Sequence, residues 1–453
     1  MALRINTNLG SLYALRNLGI ADFAQNNAIR HISSGLRVQT ASDGPADMVQ
    51  INALSSDIAS LGQAVTNTTF ASNLLSTADG ALSEVSSILT SIRSNMVAAN
   101  NQADPSSYQA EIDAQLSSLD RIVATTRFSK IDLFNGASSY QVTSRSSTIN
   151  DLRLYGVELG ALSSSTFTVS ISAVGSQAVL DFTGSTVSNV TFTVTGPSGT
   201  QSLTINDAVN NYSASAIASA IALNRSSLGV WGSSTGLYSE EYGSSKYITL
   251  SVTSKSAGST LVVNGTTLAT GGSGTDYGSN TSATVNGAPT SSTGLRVRVG
   301  QVNLNAEILL DPGVTTASSP TFTVAASGLT FQIGSRAGGN DRLRVGIPNL
   351  DTTQLGSAPE TVSSQTFGGY LNTLQSGQTN ALAASSTNTN PLRIVDEAAS
   401  QVSTLRAYLG GLDRYALLGV GFELTIVRAH ADAMRVKMEQ LCALLERAGD
   451  PGA

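Results

Sequence analysis

Two kinds of hydrophobic spacing alternate along this chain. From Met1 to about Val123, and again after about Asn390, apolar residues recur every three or four positions, the period of a helix with one wet face. In between they recur every second position, the period of a strand. The first helical stretch carries Leu9, Leu12, Leu15, Leu18, Phe23, Ile29 and Ile32, and "SSGLR" at Ser33 to Arg37 interrupts it. "SDGPAD", Ser42 to Asp47, then supplies a cap and puts Pro45 in the first turn of a second helix.

That second helix has the clearest pattern. Ile51, Leu54, Ile58, Leu61 and Val65 are spaced 3, 4, 3, 4. The phase continues through Thr68, Ser72, Leu75, Asp79, Leu82, Ser86, Leu89, Arg93 and Met96, with Leu74, Val85, Ile88 and Ile92 sharing the load where it weakens. Such a seam is a coiled-coil signature, and some fifty residues of it predict a rod on the order of 75 Å long. "ADPSSY", Ala103 to Tyr108, turns the chain into a third helix with Ile112, Leu116, Leu119 and Val123.

Ser, Thr and Gly dominate from Ala161 to about Thr290, where only eight side chains are charged. Strands are predicted at Phe167 to Ile171, Val190 to Gly196, Tyr247 to Val252, Leu295 to Leu310, Thr321 to Val324 and Leu329 to Gly334. One short helix, Ser213 to Asn224, sits among them. "GGSGTDYGSN", Gly271 to Asn280, is Gly-rich without the Lys of a phosphate loop and reads as a flexible turn. After a polar stretch, Ile394, Ala398, Val402, Leu405 and Leu409 mark a returning helix, and Met434, Met438, Leu441 and Leu445 a last one.

A long helix with an apolar seam is not stable alone in water. The helices of the two chain ends are therefore expected to pack together, with the strands looped out between them. The fold class is α+β: a long antiparallel α-helical bundle or coiled coil from both termini, with an inserted β-rich outer domain or domains. The expected division is 1–45, an N-terminal core helix; 46–160, a helical rod; 161–327, the β-rich outer part; 328–411, a hairpin and return helix; and 412–453, a short C-terminal core helix.

Charged residues make up 12% of the chain, about half the usual share, and the net charge is −6. Nucleic acid is not an expected partner, since it needs clustered Lys and Arg. No run approaches 18 uninterrupted apolar residues, so no membrane span is expected. The N-terminus lacks the apolar core and cleavage site of a signal peptide. Cys442 is the single cysteine, which excludes an intramolecular disulfide. His31 and His430 are the two histidines, and there is no HExxH. No catalytic, metal or cofactor set is expected, and the chain does not read as an enzyme. The residues with a candidate role are the seams, as assembly surfaces: Leu9, Leu12, Leu15, Ile29, Ile32, Ile51, Leu54, Ile58, Leu61 and Val65 at the N-terminal end, and Ile394, Val402, Leu405 and Leu409 at the C-terminal end.

Several stretches, taken in order, resemble bacterial flagellin. They are "RINTNLGSLYALRNL" (Arg4 to Leu18), "ISSGLRVQTASDGPADM" (Ile32 to Met48), "LLSTADGALSEVSSIL" (Leu74 to Leu89), "EIDAQLSSLDRIVATTRFS" (Glu111 to Ser129), "LTFQIGSRAGGNDRLRVGI" (Leu329 to Ile347) and "QVSTLRAYLGG" (Gln401 to Gly411). "SASAIASAIALN" is similar to a repeat of flagellin outer domains, with Ala222 in place of its usual Asn. The resemblance implies a structural subunit that leaves the cell unfolded through the flagellar type III channel and polymerises with itself into a helical filament for motility. It implies an extracellular location, an export chaperone, and cap and hook-junction proteins as partners. Two departures stand out. After Leu412 the sequence diverges, with Gly419 and Gly421 interrupting the helix, and Ser91 and Asn95 flank Arg93 where some flagellins present an innate-immune recognition patch. The alternatives are a hook–filament junction protein and a secreted glycan-binding or adhesive protein that uses the β insert.

Overall fold

The computed structural model describes residues 9–35, 38–99, 105–159, 162–206, 212–301, 303–334, 338, 341–362, 365–382, 390–417, 424–430, 432–433 and 436. Gly419, Gly421, Met434, Met438, Leu441, Cys442 and Leu445 lie outside the described residues. The chain divides into two compact units. One contains residues 1–72, 332–337 and 414–453, the other 73–331 and 338–413.

The first unit is helical. Helix α1 spans Leu9–Ser34 and ends at Gly35, whose φ of +68° is the left-handed conformation that stops a helix. The Gly35 N–H closes the last turn on the His31 carbonyl at 2.9 Å. Helix α2, Pro45–Ala99, opens on the proline as expected. In its first half Leu61, Ala64, Thr68 and Ala71 are buried. The Thr68 hydroxyl donates to the Ala64 carbonyl at 2.8 Å, so its burial leaves no unpaired polar group. The guanidinium of Arg428 lies against Gly62, which places the helical stretch 424–430 beside α2.

The second unit contains a helical bundle and two β lobes. The bundle is formed by the rest of α2, α3 (Ser106–Thr125) and α6 (Asn390–Gly411). The buried seam of α2 here is Leu75, Ala78, Leu82, Val85, Leu89, Ile92, Met96 and Ala99, again at 3 and 4 spacing. It shares Leu75, Leu82, Leu89 and Met96 with the expected seam. Ala78, Val85 and Ile92 take the places expected of Asp79, Ser86 and Arg93. The displaced charges flank the seam and reach α6: Asp79 pairs with Arg406 at 2.9 Å and Arg93 with Asp396 at 2.6 Å. These two pairs run in opposite senses along the helices, so α2 and α6 are antiparallel. Ile112, Leu116, Leu119 and Val123 of α3 are buried with them, as is the α6 stripe.

The chain between 127 and 382 makes antiparallel sheets. The inner lobe pairs a five-stranded sheet with a four-stranded one around a core including Phe167, Val169, Val297, Ile308 and Phe322. Its strands Gln141–Arg145 and Ile149–Val157 precede position 161, so the lobe begins earlier than the expected boundary. The outer lobe is inserted between two strands of the inner one, Ser164–Ala173 and Ser282–Val285. Its own core gathers Phe182, Phe192, Val194, Ile248 and Leu250 under Ile217 and Ile221 of helix α4, Ala214–Ala222. A one-turn helix α5, Arg225–Leu228, follows. The stretch expected as a flexible turn at Gly271 to Asn280 contains a strand, Ser273–Tyr277, paired in register with Tyr247–Ser251. The polar stretch before α6 holds a hairpin, Gly356–Val362 with Gln365–Tyr370. Buried polar side chains fasten it: Gln401 accepts from the Gly356 N–H at 3.1 Å, and Arg153 donates to the Gly356 carbonyl at 2.7 Å.

Candidate assembly surface

Helix α1 contains no buried residue. Leu9, Leu12, Leu15, Ile29 and Ile32 are between 52% and 81% exposed, and Leu18, Ile20 and Phe23 are exposed beside them. Soluble monomers rarely leave so many large apolar side chains together in water. At the end of α1 the chain folds back through a polar loop. There Asp43 accepts the Thr40 N–H at 2.8 Å and the Gln39 N–H at 3.1 Å, and His31 lies 3.7 Å from its carboxylate. Those backbone donors, Thr40 first, hold the Asp43 carboxyl below the ordinary aspartate range. The loop is thereby fixed through hydrogen bonds, with Val38 as its buried apolar anchor.

Along α2, Ile51, Leu54, Ile58 and Val65 are half-buried and Leu61 is buried. The C-terminal stripe is different. Ile394, Val402, Leu405 and Leu409 are all essentially inaccessible within the single chain. The structure therefore separates the seam residues into an open set on α1, a partly covered set on α2 and a closed set on α6.

A cleft of about 410 Å³ lies where the outer lobe, the inner lobe and α6 meet. Its charges are arranged in pairs. Arg296 of the inner lobe reaches Glu397 of α6 at 2.9 Å and Glu307 at 3.2 Å, and Arg298 also reaches Glu307 at 3.2 Å. Glu241 of the outer lobe pairs with Lys246 and, at 3.3 Å, with Arg393 of α6. Burial pushes the Glu397 carboxyl up, and Arg296 offsets this only in part. Burial also works against the charge on Glu241, but Arg393 and Lys246 outweigh it and its pKa ends below the ordinary value. Mutually neutralised, these groups act as fasteners between elements. No pattern in the sequence marks the ties to α6, because Arg296 and Glu397, and Glu241 and Arg393, lie far apart along the chain.

Among the described residues no group of three or more His, Cys, Asp or Glu could hold a metal ion, and no helix is long and apolar enough to cross a membrane. His430 sits on the 424–430 stretch with Nδ1 3.2 Å from the Ile426 carbonyl.

Residues 5–139 match the family model described as the bacterial flagellin N-terminal helical region. This segment is therefore similar to the N-terminal helical region of bacterial flagellins. All ten residues of the N-terminal seam fall within the flagellin match, and the four on α6 fall outside it. Polar flagellin F of Vibrio parahaemolyticus is 33% identical over 175 residues, 36% of this chain and 46% of that one. The B-type flagellin of Pseudomonas aeruginosa is 33% identical over 171 residues, 36% of this chain and 35% of its own. The flagellin of Escherichia coli is 35% identical over 148 residues, 31% of this chain and 30% of its own. The matches thus span about half or less of these flagellins. Among solved structures, FliC from Burkholderia pseudomallei aligns over 77% of this chain and 99% of its own at 15% identity, with a TM-score of 0.25. Hook-associated protein-3 from Legionella pneumophila aligns over 86% of this chain and 99% of its own at 12% identity, with a TM-score of 0.34. Flagellins form a family of structural proteins.

Proposed function

We propose that this chain is the repeating subunit of an extracellular flagellar filament, and that α1 is the part that polymerises. The observation that carries the reading is a 26-residue helix with no buried residue and an array of exposed large apolar side chains. A helix of that length gains little stability from propensity alone. Covering an apolar side chain fully is worth about 1.5–3 kcal/mol, so eight of them offer upwards of ~10 kcal/mol per subunit. That is comparable with the ~4–15 kcal/mol cost of fixing one molecule on another. Copies of α1 packed together, and against the half-covered positions on α2, would provide the cover.

The same reading includes export in an unfolded state, for which a chain without an intramolecular disulfide is suited. It includes an export chaperone, and the cap and hook-junction proteins that bound a filament. No enzymatic step is needed.

The test is elongation of sheared filament fragments by the purified full chain, followed by sedimentation and electron microscopy. Wild-type protein should move into the pellet as filaments. Leu12→Asp with Leu15→Asp should stay in the supernatant, while its thermal unfolding matches wild type. A wild-type chain that remains single in the presence of fragments would overturn the proposal.

A further inference from the structure

The outer lobe carries a sheet whose two faces differ in character. It is built from the strands Ser273–Tyr277, Tyr247–Lys255, Asn189–Gly196 and Gly199–Asn206, in that order across the sheet. One face sends Phe192, Val194, Ile248, Leu250 and Val252 into the lobe core, with Gln201 and Asp276 on the flanking strands. On the other face the register lines up hydroxyl side chains in rows. Thr275, Thr249, Thr195 and Thr200 form one row, and Ser273, Ser251, Thr193 and Ser202 the next. Thr191 opposite Thr204 continues the pattern, and Asn189 opposite Asn206 closes it. At the other end Tyr247 faces Tyr277, with ring centroids 5.8 Å apart. Tyr277 is 62% exposed.

We propose that this face binds a neutral polysaccharide chain. Every outward position in the rows is Ser, Thr, Asn or Tyr, so the face offers no charge to an acidic polymer, a nucleic acid or a lipid headgroup. Alternate hydroxyls are already paired with each other: Thr249 with Thr275 at 2.9 Å, Thr195 with Thr200 at 3.0 Å and Thr191 with Thr204 at 3.1 Å. Each pair spends one proton internally and leaves another proton and several lone pairs facing outward. The result is a fixed array of both donors and acceptors, which matches a ligand that is itself a row of hydroxyls. The tyrosine pair adds rings on which the apolar face of a sugar can stack.

Geometry narrows the ligand further. Rows repeat at about 6.8 Å along the strands and hydroxyls at about 4.8 Å across them, so the face covers several sugar units. Sheets twist by about 20–25° per strand, roughly 60–75° over three steps. A twisted array does not fit a flat lattice such as ice or crystalline cellulose. It does fit a single flexible chain that follows the twist. The site needs no second copy, so it stands whether or not the protein polymerises.

The experiment uses the full-length chain and affinity electrophoresis in gels containing laminarin, dextran or mannan, with hyaluronan as the acidic counterpart. At least one neutral polymer should retard the protein, equally at low and high salt. Tyr277→Ala should weaken that binding about tenfold, the effect of losing one aromatic contact. Thr195→Val with Thr200→Val removes two hydroxyls while keeping the branched shape and should weaken it about as much. The Thr166–Thr323 hydroxyl pair of the inner lobe, 2.9 Å apart, serves as control, and its double valine variant should bind as wild type. The proposal fails if no neutral polymer binds, if only hyaluronan does, or if both outer-lobe variants bind normally. It also fails if light scattering shows wild type self-associated through this face and the variants dissociated, which would make the face a contact between copies.

Discussion

Helices α1 and α6 are written in the same hydrophobic language and live in opposite environments. They have 26 and 22 residues, and each repeats apolar positions at helical spacing. α6 buries nine residues, including Ile394, Val402, Leu405 and Leu409, and α1 buries none. The α6 stripe is covered by its own chain, and its buried polar members Gln401 and Asn390 are hydrogen-bonded there. The α1 stripe is left for something else. A hydrophobic pattern therefore states that a helix requires a cover, and says nothing about which molecule supplies it.

The sharpest way to break this contrast is to remove one methyl-rich side chain from each stripe. Leu405→Ala should lower the stability of its unit by about 2–5 kcal/mol, because it empties a closed site. Leu15→Ala should change the stability of the isolated chain by less than about 0.5 kcal/mol, the usual size for an exposed position. Urea unfolding followed by helix circular dichroism separates the two. If Leu15→Ala costs as much as Leu405→Ala, α1 is covered in the single molecule and the contrast collapses.

The second comparison is between kinds of fastener. The bundle closes on an apolar seam with Asp79–Arg406 and Arg93–Asp396 at its flanks, whereas in the cleft the lobes are tied to α6 by charge pairs. Arg296→Met should cost about 3 kcal/mol, since it leaves Glu307, only 4% exposed, with a single cationic partner and Glu397 with none of comparable reach. Replacing the set at once, Arg296→Met with Glu307→Leu and Glu397→Met, should recover most of the loss. Thermal unfolding of the two variants checks this. Recovery confirms that the cost is stranded charge, and its absence means that packing around Arg296 is responsible.

What the sequence disclosed follows from range. The helices of α2, α3 and α6, the strand periods and the short helix in the outer lobe were legible, because each is a local repeat. The α2 seam was legible to within one position. Ala64, Ala71 and Ala78 are small and only weakly apolar, so the spacing alone points to Val65, Ser72 and Asp79 in their places. Yet helical side chains lean toward the preceding turn, and small residues there let a neighbouring helix approach. Asp79 and Arg93, which look like flaws in the stripe, are the charges that tie α2 to α6. The nesting of one lobe inside the other was not legible, since strands 110 residues apart pair without a local sign. The hydroxyl rows were visible strand by strand as Thr and Ser, but their alignment depends on register, which alternation alone does not set.

The smallest expected effect concerns the tie between the outer lobe and α6, and it carries a definite sign. The Glu241 carboxyl lies below the ordinary glutamate range because Arg393 and Lys246 outweigh its burial. A carboxylate whose folded pKa is depressed contributes stability above its unfolded pKa and loses it as the pH falls through the folded value. Glu397 has the opposite shift, raised by burial, so folding favours its neutral form and it takes up a proton first on acidification. Acid therefore discharges Glu397 before it opens the Glu241 pairs, and the outer tie should loosen only below about pH 4. Because Glu241 is about one-third exposed, at 34%, its share is expected to be below ~1 kcal/mol. Hydrogen exchange of the Gly236–Tyr242 strand, corrected for the intrinsic rate, should rise across that acid window in wild type. Glu241→Gln should already show the faster exchange at neutral pH and then change little on acidification. A wild-type strand whose protection is flat through the window would show that hydrogen bonds and packing, with no help from these charges, hold the lobe in place.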